Sequence, residues 1–281
     1  MLQISAREWA LSDTLLWFGD SYTIGSELGH FYGDFEKDKY SDKIFYMDSI
    51  RIHKHRPDMA FPILVSKELE LDYIVLGHGG ASIQKLQFTL IDFLKQKFNS
   101  DKKYIAIFAL PTQYSRCFYI DEKGLAISEP DDDILKHQIR FGKYEITMYI
   151  NSIYTMCKTY NIEPYFLAVW SKLDILENYN IVPDENWILP RSTTLVEKSW
   201  EFSDPPESWR NLFKIKPLER LKDNKFFEKY ILHLLNVIIL SRSNEVFKKY
   251  IFPCGNHPNK DGHKKLADTL IEILKEKLTS D

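Results

Sequence analysis

Leu15-Leu16-Trp17-Phe18-Gly19-Asp20-Ser21-Tyr22-Thr23 runs from an unbroken apolar stretch straight into a small polar turn. Four consecutive apolar residues without alternation suit a strand covered on both faces, as in a parallel sheet. Gly19 lets the chain turn tightly, and Gly25 allows another group close approach. Three more short runs, at 73–76, 104–110 and 165–170, are rich in β-branched and aromatic residues and read the same way. Helical patterns lie between them. Ser82 is placed to cap a helix through about residue 98, with Ile83, Leu86, Leu90, Phe93, Leu94 and Phe98 near one face. A longer pattern covers 132–160, and a last one follows Asn259 with Leu266, Leu270, Ile273, Leu274 and Leu278. Strands alternating with helices predict an α/β fold, a three-layer α/β/α sandwich around a parallel sheet. Its site should form from loops at the carboxyl ends of the strands.

Two stretches break that rhythm. Residues 30–60 are rich in charge and in Tyr and Phe, and read as a long loop before a helix at 61–69. Residues 171–250 hold Pro183, Pro190, Pro205, Pro206 and Pro217, then a helical pattern over 224–250. The expectation is one domain spanning 1–281, with 171–250 as an inserted helical and loop segment or lid within it.

The bulk properties narrow the function classes. The 281 residues are 44% hydrophobic and 14% aromatic, enough for a core and outside the disordered regime. A net charge of −3 without a polybasic block gives no electrostatic reason to expect nucleic acid or an anionic membrane as partner. Cys117, Cys157 and Cys254 are too few and scattered for a disulfide framework. Residues 1–13 lack the apolar centre of a signal peptide. The run at 230–240 is broken by His233 and Asn236 and is too short to span a bilayer. A cytoplasmic protein is therefore expected; export by another route, or packaging in a virus particle, leaves no mark of this kind. The sequence does not set the oligomeric state.

Chemistry-bearing residues gather in four places. Ser21, in the turn after the first strand, is placed to expose its hydroxyl at the carboxyl edge of the sheet, though strand–turn–helix sequences also use serine as a helix cap. Gly77-His78-Gly79-Gly80-Ala81-Ser82 follows the second strand. Such a loop aims bare N–H groups at an oxyanion, or serves only a turn that needs φ > 0. After the third strand come Pro111-Thr112-Gln113-Tyr114-Ser115-Arg116, where Thr112 or Gln113 offers a donor and Arg116 a cation for an anionic substrate group. Near the end stand His257-Pro258-Asn259: proline holds the preceding residue extended, and asparagine caps the helix that follows. An imidazole there has the proton affinity of a general base. His263 and His78 read as structural. Cys254, His257 and His263 lack a second pair at ligand spacing, so no metal is expected, and the glycine spacing of a dinucleotide site is absent. His53 and His55, with Arg51 and Arg56, read as an exposed basic segment.

The first segment resembles the nucleophile block of the SGNH (GDSL) hydrolase family, and the His257 segment resembles its final histidine block. The strand and loop ending at Gly80 resemble the block whose glycine N–H helps hold the oxyanion. The asparagine of the family's third block has no counterpart at 109–116. Its aspartate, three residues before the histidine, is replaced by Cys254, so the imidazole would be oriented by Asn256, a backbone carbonyl or a carboxylate from elsewhere. The resemblance implies a flavodoxin-like α/β/α fold. It also implies an esterase or deacetylase without cofactor or metal that hydrolyses a carboxylic ester, such as an O-acetyl group on a carbohydrate, through an acyl-serine. Its roles for this chain are nucleophile for Ser21, base for His257, and oxyanion or substrate contacts for Gly80, Thr112, Gln113 and Arg116. Two alternatives stay open. One is a degenerate binding protein on this fold, where aromatics such as Trp187, Trp200, Phe202 and Trp209 stack on sugar rings; the other is an O-acyltransferase.

Overall fold

A computed structural model of the chain describes residues 13–26, 28–32, 43, 56–110, 117–121, 124–128, 132–170, 173, 180–200, 249–250 and 257–279. Strand β1 (Thr14–Gly19) is buried along its whole length. It pairs in parallel with β2 (Asp72–Gly77) on one side and β3 (Tyr104–Leu110) on the other. Strand β6 (Ile162–Ala168) extends the sheet beyond β3, giving the order β2-β1-β3-β6 with every pairing parallel. A separate antiparallel hairpin, β4 (Cys117–Asp121) and β5 (Gly124–Ser128), follows β3.

Alternate residues of each strand enter opposite cores. Leu15, Trp17, Val75, Ile105, Ile107 and Leu167 pack on one face. That face is covered by α2 (Phe61–Glu68), α5 (Leu195–Trp200) and α6 (Lys260–Thr279). Leu16, Phe18, Leu76, Ala106, Phe108 and Phe166 pack on the other face, against α3 (Ile83–Gln96) and α4 (Asp132–Thr159). Burial on both faces explains why the strands read as continuous apolar runs. The three-layer expectation is met.

Local chemistry sets the helix starts. Ser82 accepts a hydrogen bond from the Lys85 N–H at 3.1 Å and caps α3. Proline at the first turn of α2 lacks an N–H that would have no intrahelical partner there. The Trp17 indole donates to the Ser66 hydroxyl, pinning β1 to α2 inside the core.

The last strand starts three residues earlier than the apolar run suggested, at Ile162, and takes in Pro164. Part of the stretch read as an insertion lies in the cores: Val182 and Trp187 in one, Ile188, Leu189, Leu195, Val196 and Trp200 in the other. Trp187 bridges Phe166 in parallel, and the Ile188 N–H donates to the Phe166 carbonyl at 2.9 Å.

The order of strands places the site. From β1 the chain goes to β2 on one side, and from β3 it goes to β6 on the other. The switch point of the sheet therefore lies between the carboxyl ends of β1 and β3, the place where open α/β sheets take their ligands. The turn carrying Ser21 leaves β1 at that end.

Candidate active site

The turn at residues 20–26 is built almost wholly from its own backbone. Thr23 and Ile24 N–H groups donate to the Asp20 carbonyl, Gly25 N–H to Tyr22, and Ser26 N–H to Ser21 at 2.9 Å. The Asp20 carboxylate, itself buried, accepts from the Tyr22 N–H at 3.0 Å and draws the chain around before the serine can swing away. A Cβ on Gly19 would stand 1.7 Å from the Thr23 hydroxyl oxygen, so only glycine lets the turn fold back on the strand end. Ser21 is 9% exposed.

The loop after β2 is tied to this turn. The His78 N–H donates to the Gly19 carbonyl at 3.1 Å, and the Ala81 N–H to the His78 carbonyl at 3.0 Å. Gly80 has φ +75°, the left-handed region where a side chain would be strained. The turn reading and the oxyanion reading of this glycine are thus compatible. Neither the Ser21 nor the Gly80 N–H hydrogen-bonds to another described residue. His78 is half-buried and its Nδ1 lies 3.0 Å from the Gly79 carbonyl.

His257 comes from the other end of the chain, in a loop that closes on itself. The Asn259 N–H donates to the Tyr250 carbonyl and its side-chain amide to the Lys249 carbonyl, both at 2.9 Å. The same side chain accepts from the Gly262 N–H at 2.9 Å and caps α6. The imidazole of His257 packs against the ring of Tyr22, with centroids 5.4 Å apart and planes inclined at 40°. The histidine block thus meets the residue next to Ser21. Tyr22 is backed by Trp170 at 5.6 Å, Trp170 by Trp200 at 5.7 Å, and Trp200 stacks on Tyr250 at 5.6 Å. Five rings therefore run from one end of the histidine loop to the other.

His263 is a packing residue and wholly buried. Its ring stacks on Phe61, and its Nδ1 accepts the Phe61 N–H at 3.4 Å, serving one of the N–H groups that the start of α2 leaves without a helical partner. An accepting Nδ1 puts the proton on Nε2. Burial, and next the nearby His257, press its pKa down to about 3, so His263 is neutral at physiological pH.

Several expectations change on contact with the structure. Trp187 and Trp200 are each 3% exposed and belong to the cores, because their indoles fill the space beside β6 and α6; they offer no face to a sugar. Arg56 is largely buried and grips both Asp58 carboxylate oxygens and the Tyr32 carbonyl, so it is a structural residue and no part of an exposed basic segment. Thr112, Gln113, Arg116, Cys254 and Asn256, with Phe202 and Trp209, lie outside the described residues. Among the described residues no cluster of His, Cys, Asp and Glu is arranged to hold a metal ion, and no helix is long and apolar enough to cross a membrane. Sequence reasoning missed Tyr22 and Trp170; the aromatic residue directly after Ser21 was the available signal.

No protein-family model and no curated protein matches the chain. Among solved structures, it is similar to a carbohydrate esterase whose active site displays divergent catalytic and non-catalytic binding functions. That match has 12% identity, covers 94% of this chain and 69% of the other, and has a TM-score of 0.46. It is similar also to the acetyl xylan esterase Est2A from the rumen bacterium Butyrivibrio proteoclasticus, at 14% identity over 95% of this chain, with a TM-score of 0.47. The chain spans 64% of the length of Est2A. A member of the lipolytic protein G-D-S-L family from Veillonella parvula DSM 2008 matches at 11% identity, with 94% and 98% of the two chains covered and a TM-score of 0.39. The functional reading rests on the chain's own residues.

Proposed function

We propose that this chain is an SGNH-type serine esterase that hydrolyses a carboxylic ester through an acyl-serine intermediate, with an O-acetyl group on a carbohydrate as the expected substrate class. One observation carries the reading. The turn bearing Ser21, at the switch point of the sheet, lies against the loop bearing His257 through the contact of Tyr22 with the imidazole.

The chemistry follows from these parts. His257 takes the hydroxyl proton as the Ser21 oxygen attacks the ester carbonyl, and the new C–O bond makes a tetrahedral oxyanion. The N–H groups of Ser21 and Gly80 are the donors proposed for it, with Thr112 or Gln113 as side-chain candidates and Arg116 as a contact for an anionic substrate group. The imidazolium returns its proton to the departing alcohol, leaving an acyl-serine. Water, deprotonated by His257, then releases the acid and restores Ser21.

A fluorophosphonate is the direct test. Phosphonylation of Ser21, found by peptide mapping and lost in His257→Ala, supports the reading; a protein that stays unlabelled under conditions that label a control esterase overturns it. A second reading, binding without turnover, is favoured by the Cys254 that stands in the acid position. It predicts an unlabelled Ser21 together with retained affinity for a glycan.

A further inference from the structure

The bonds inside the turn at residues 20–26 give it a shape, and its exit gives it a place in the fold. Gly25 takes φ +63°, and a Cβ there would stand 2.7 Å from the Arg56 carbonyl oxygen and 3.2 Å from the Ala60 Cβ. Only glycine allows so close an approach. The Gly25 carbonyl accepts from the Arg56 N–H at 3.1 Å. The Arg56 side chain then fixes its own backbone. Its Nε and Nη2 donate to the two Asp58 carboxylate oxygens at 2.8 and 2.7 Å, a forked pair that sets orientation as well as neutralising charge. Its Nη1 donates to the Tyr32 carbonyl at 2.7 Å, at the end of the short helix Leu28–Tyr32 that follows the turn. Arg56 therefore grips the chain leaving Ser21 at both Gly25 and Tyr32. The same segment reaches the histidine side. The Phe61 N–H donates to Nδ1 of His263 at 3.4 Å, in the helix that His257 precedes. Between these ends the Pro57–Met59 turn closes on itself: the Met59 N–H donates to the Arg56 carbonyl and the Ala60 N–H to the Pro57 carbonyl, both at 3.0 Å.

We infer that Arg56 is a positioning residue of the site: its guanidinium locks residues 56–61 into a strut that sets where the Ser21 turn stands against the helix following His257. The catalytic consequence rests on Ser21 and His257 being the nucleophile and base proposed above; the strut itself does not. A misplacement of about 1 Å at a reacting group can cost on the order of a hundredfold in rate. A loosened strut should therefore slow the chemistry at Ser21 and leave the binding of a small ester unchanged. The fork is what matters, because a lysine supplies the charge as a single point and cannot hold both Asp58 oxygens and the Tyr32 carbonyl in one plane.

The test uses the intact chain and two readouts. Amide hydrogen exchange, followed by NMR and corrected for intrinsic rates, reports the strut in the resting protein. Arg56→Met should speed exchange at residues 56 and 61 by about tenfold, the size expected when a charge-assisted hydrogen bond is lost. The amides of Thr23 and Ser26 inside the turn, and of Leu86 in α3, should change by less than about threefold. Arg56→Lys should recover only part of the protection. Asp58→Asn, which weakens the fork from its other side, should act in the same direction and stands in if Arg56→Met does not fold. Fluorophosphonate labelling of Ser21 reports the chemistry. In Arg56→Met its limiting rate at saturating probe should fall about tenfold, with the half-saturating concentration unchanged within about twofold. Unchanged exchange at residues 56 and 61 in a folded variant overturns the inference. So does equal acceleration at Thr23, Ser26 and Leu86, the mark of general destabilisation, and so does a raised half-saturating concentration with the limiting rate intact. A wild-type chain whose Ser21 is never labelled would strike the esterase reading alone, because exchange is measured without turnover.

Discussion

The turn that bears Ser21 and the loop that bears His257 are held by opposite means. The turn closes within seven residues through backbone hydrogen bonds and one aspartate side chain, all between near neighbours in sequence. The histidine loop has its own Asn259 closure, but its imidazole lies against the ring of Tyr22, the first of a row continued by residues 170, 200 and 250. The serine's position is thus written locally and the histidine's is written by packing across the whole domain. Distant substitutions should disturb the second far more than the first.

Removing each functional group probes the comparison most strongly. Ser21→Ala is expected to abolish hydrolysis of p-nitrophenyl acetate while leaving the thermal midpoint almost unmoved, since the backbone of the turn needs no hydroxyl. Persistent turnover in that variant removes the serine mechanism. His257→Ala should lower kcat by at least ~10³-fold. A loss of only a few-fold would pass the role of base to another group, with His78 first in line.

Acid should separate the two regions next. His263 has a folded pKa of about 3, through burial first and the neighbouring His257 second, against an ordinary value near 6.5 in the unfolded chain. Between these values the unfolded chain holds a proton that the native protein does not. Stability therefore falls as pH drops from about 6.5 towards about 3, by up to ~1.4 kcal/mol per pH unit from this residue. Urea unfolding across that range should show a shallower slope in His263→Phe, although that variant starts from a lower stability because the Phe61 N–H loses its acceptor. Equal slopes would mean that His263 protonates without cost.

On the serine side, Gly19→Ala forces a methyl group onto the Thr23 hydroxyl and should cost about 1–3 kcal/mol, measured by denaturant unfolding. Adding Thr23→Ala should recover part of that loss, because the two positions share one clash. Independent effects would show that the turn yields somewhere else. Cys254→Asp makes the smallest and most pointed change, offering the histidine a partner close by in sequence. It should raise kcat by up to about tenfold, equal to ~1.4 kcal/mol of transition-state stabilisation. No gain would mean that the contacts already present do the orienting.

The same contrast explains what the sequence made legible. Strand β1, the Ser82 cap of α3 and the Asn259 cap of α6 are signalled by contiguous residues, and they appear where those residues predict them. Strand β6 was half hidden. Pro164 interrupts the pattern of a strand, and the expected run began only after it; the structure tolerates the proline near the sheet edge, where its carbonyl accepts from the Asn186 side chain. The β4–β5 hairpin escaped notice because two five-residue strands alone carry little pattern. Ser21 and Gly80 could be singled out because each sits in the short turn that follows a strand. The ring row could not, since its members share no period and meet only after the sheet has formed.

The sheet also divides the molecule into two territories with unequal fates. Trp17 faces the side of α2, α5 and α6, where His257 and His263 belong; Phe18, the very next residue, faces α3 and α4. Substitutions that loosen the first side reach the histidine through shared helices. Those on the second side meet the full thickness of the sheet before they reach it. A substitution that loosens α2, α5 or α6 should therefore be felt at the histidine loop before an equal loosening of α4 is.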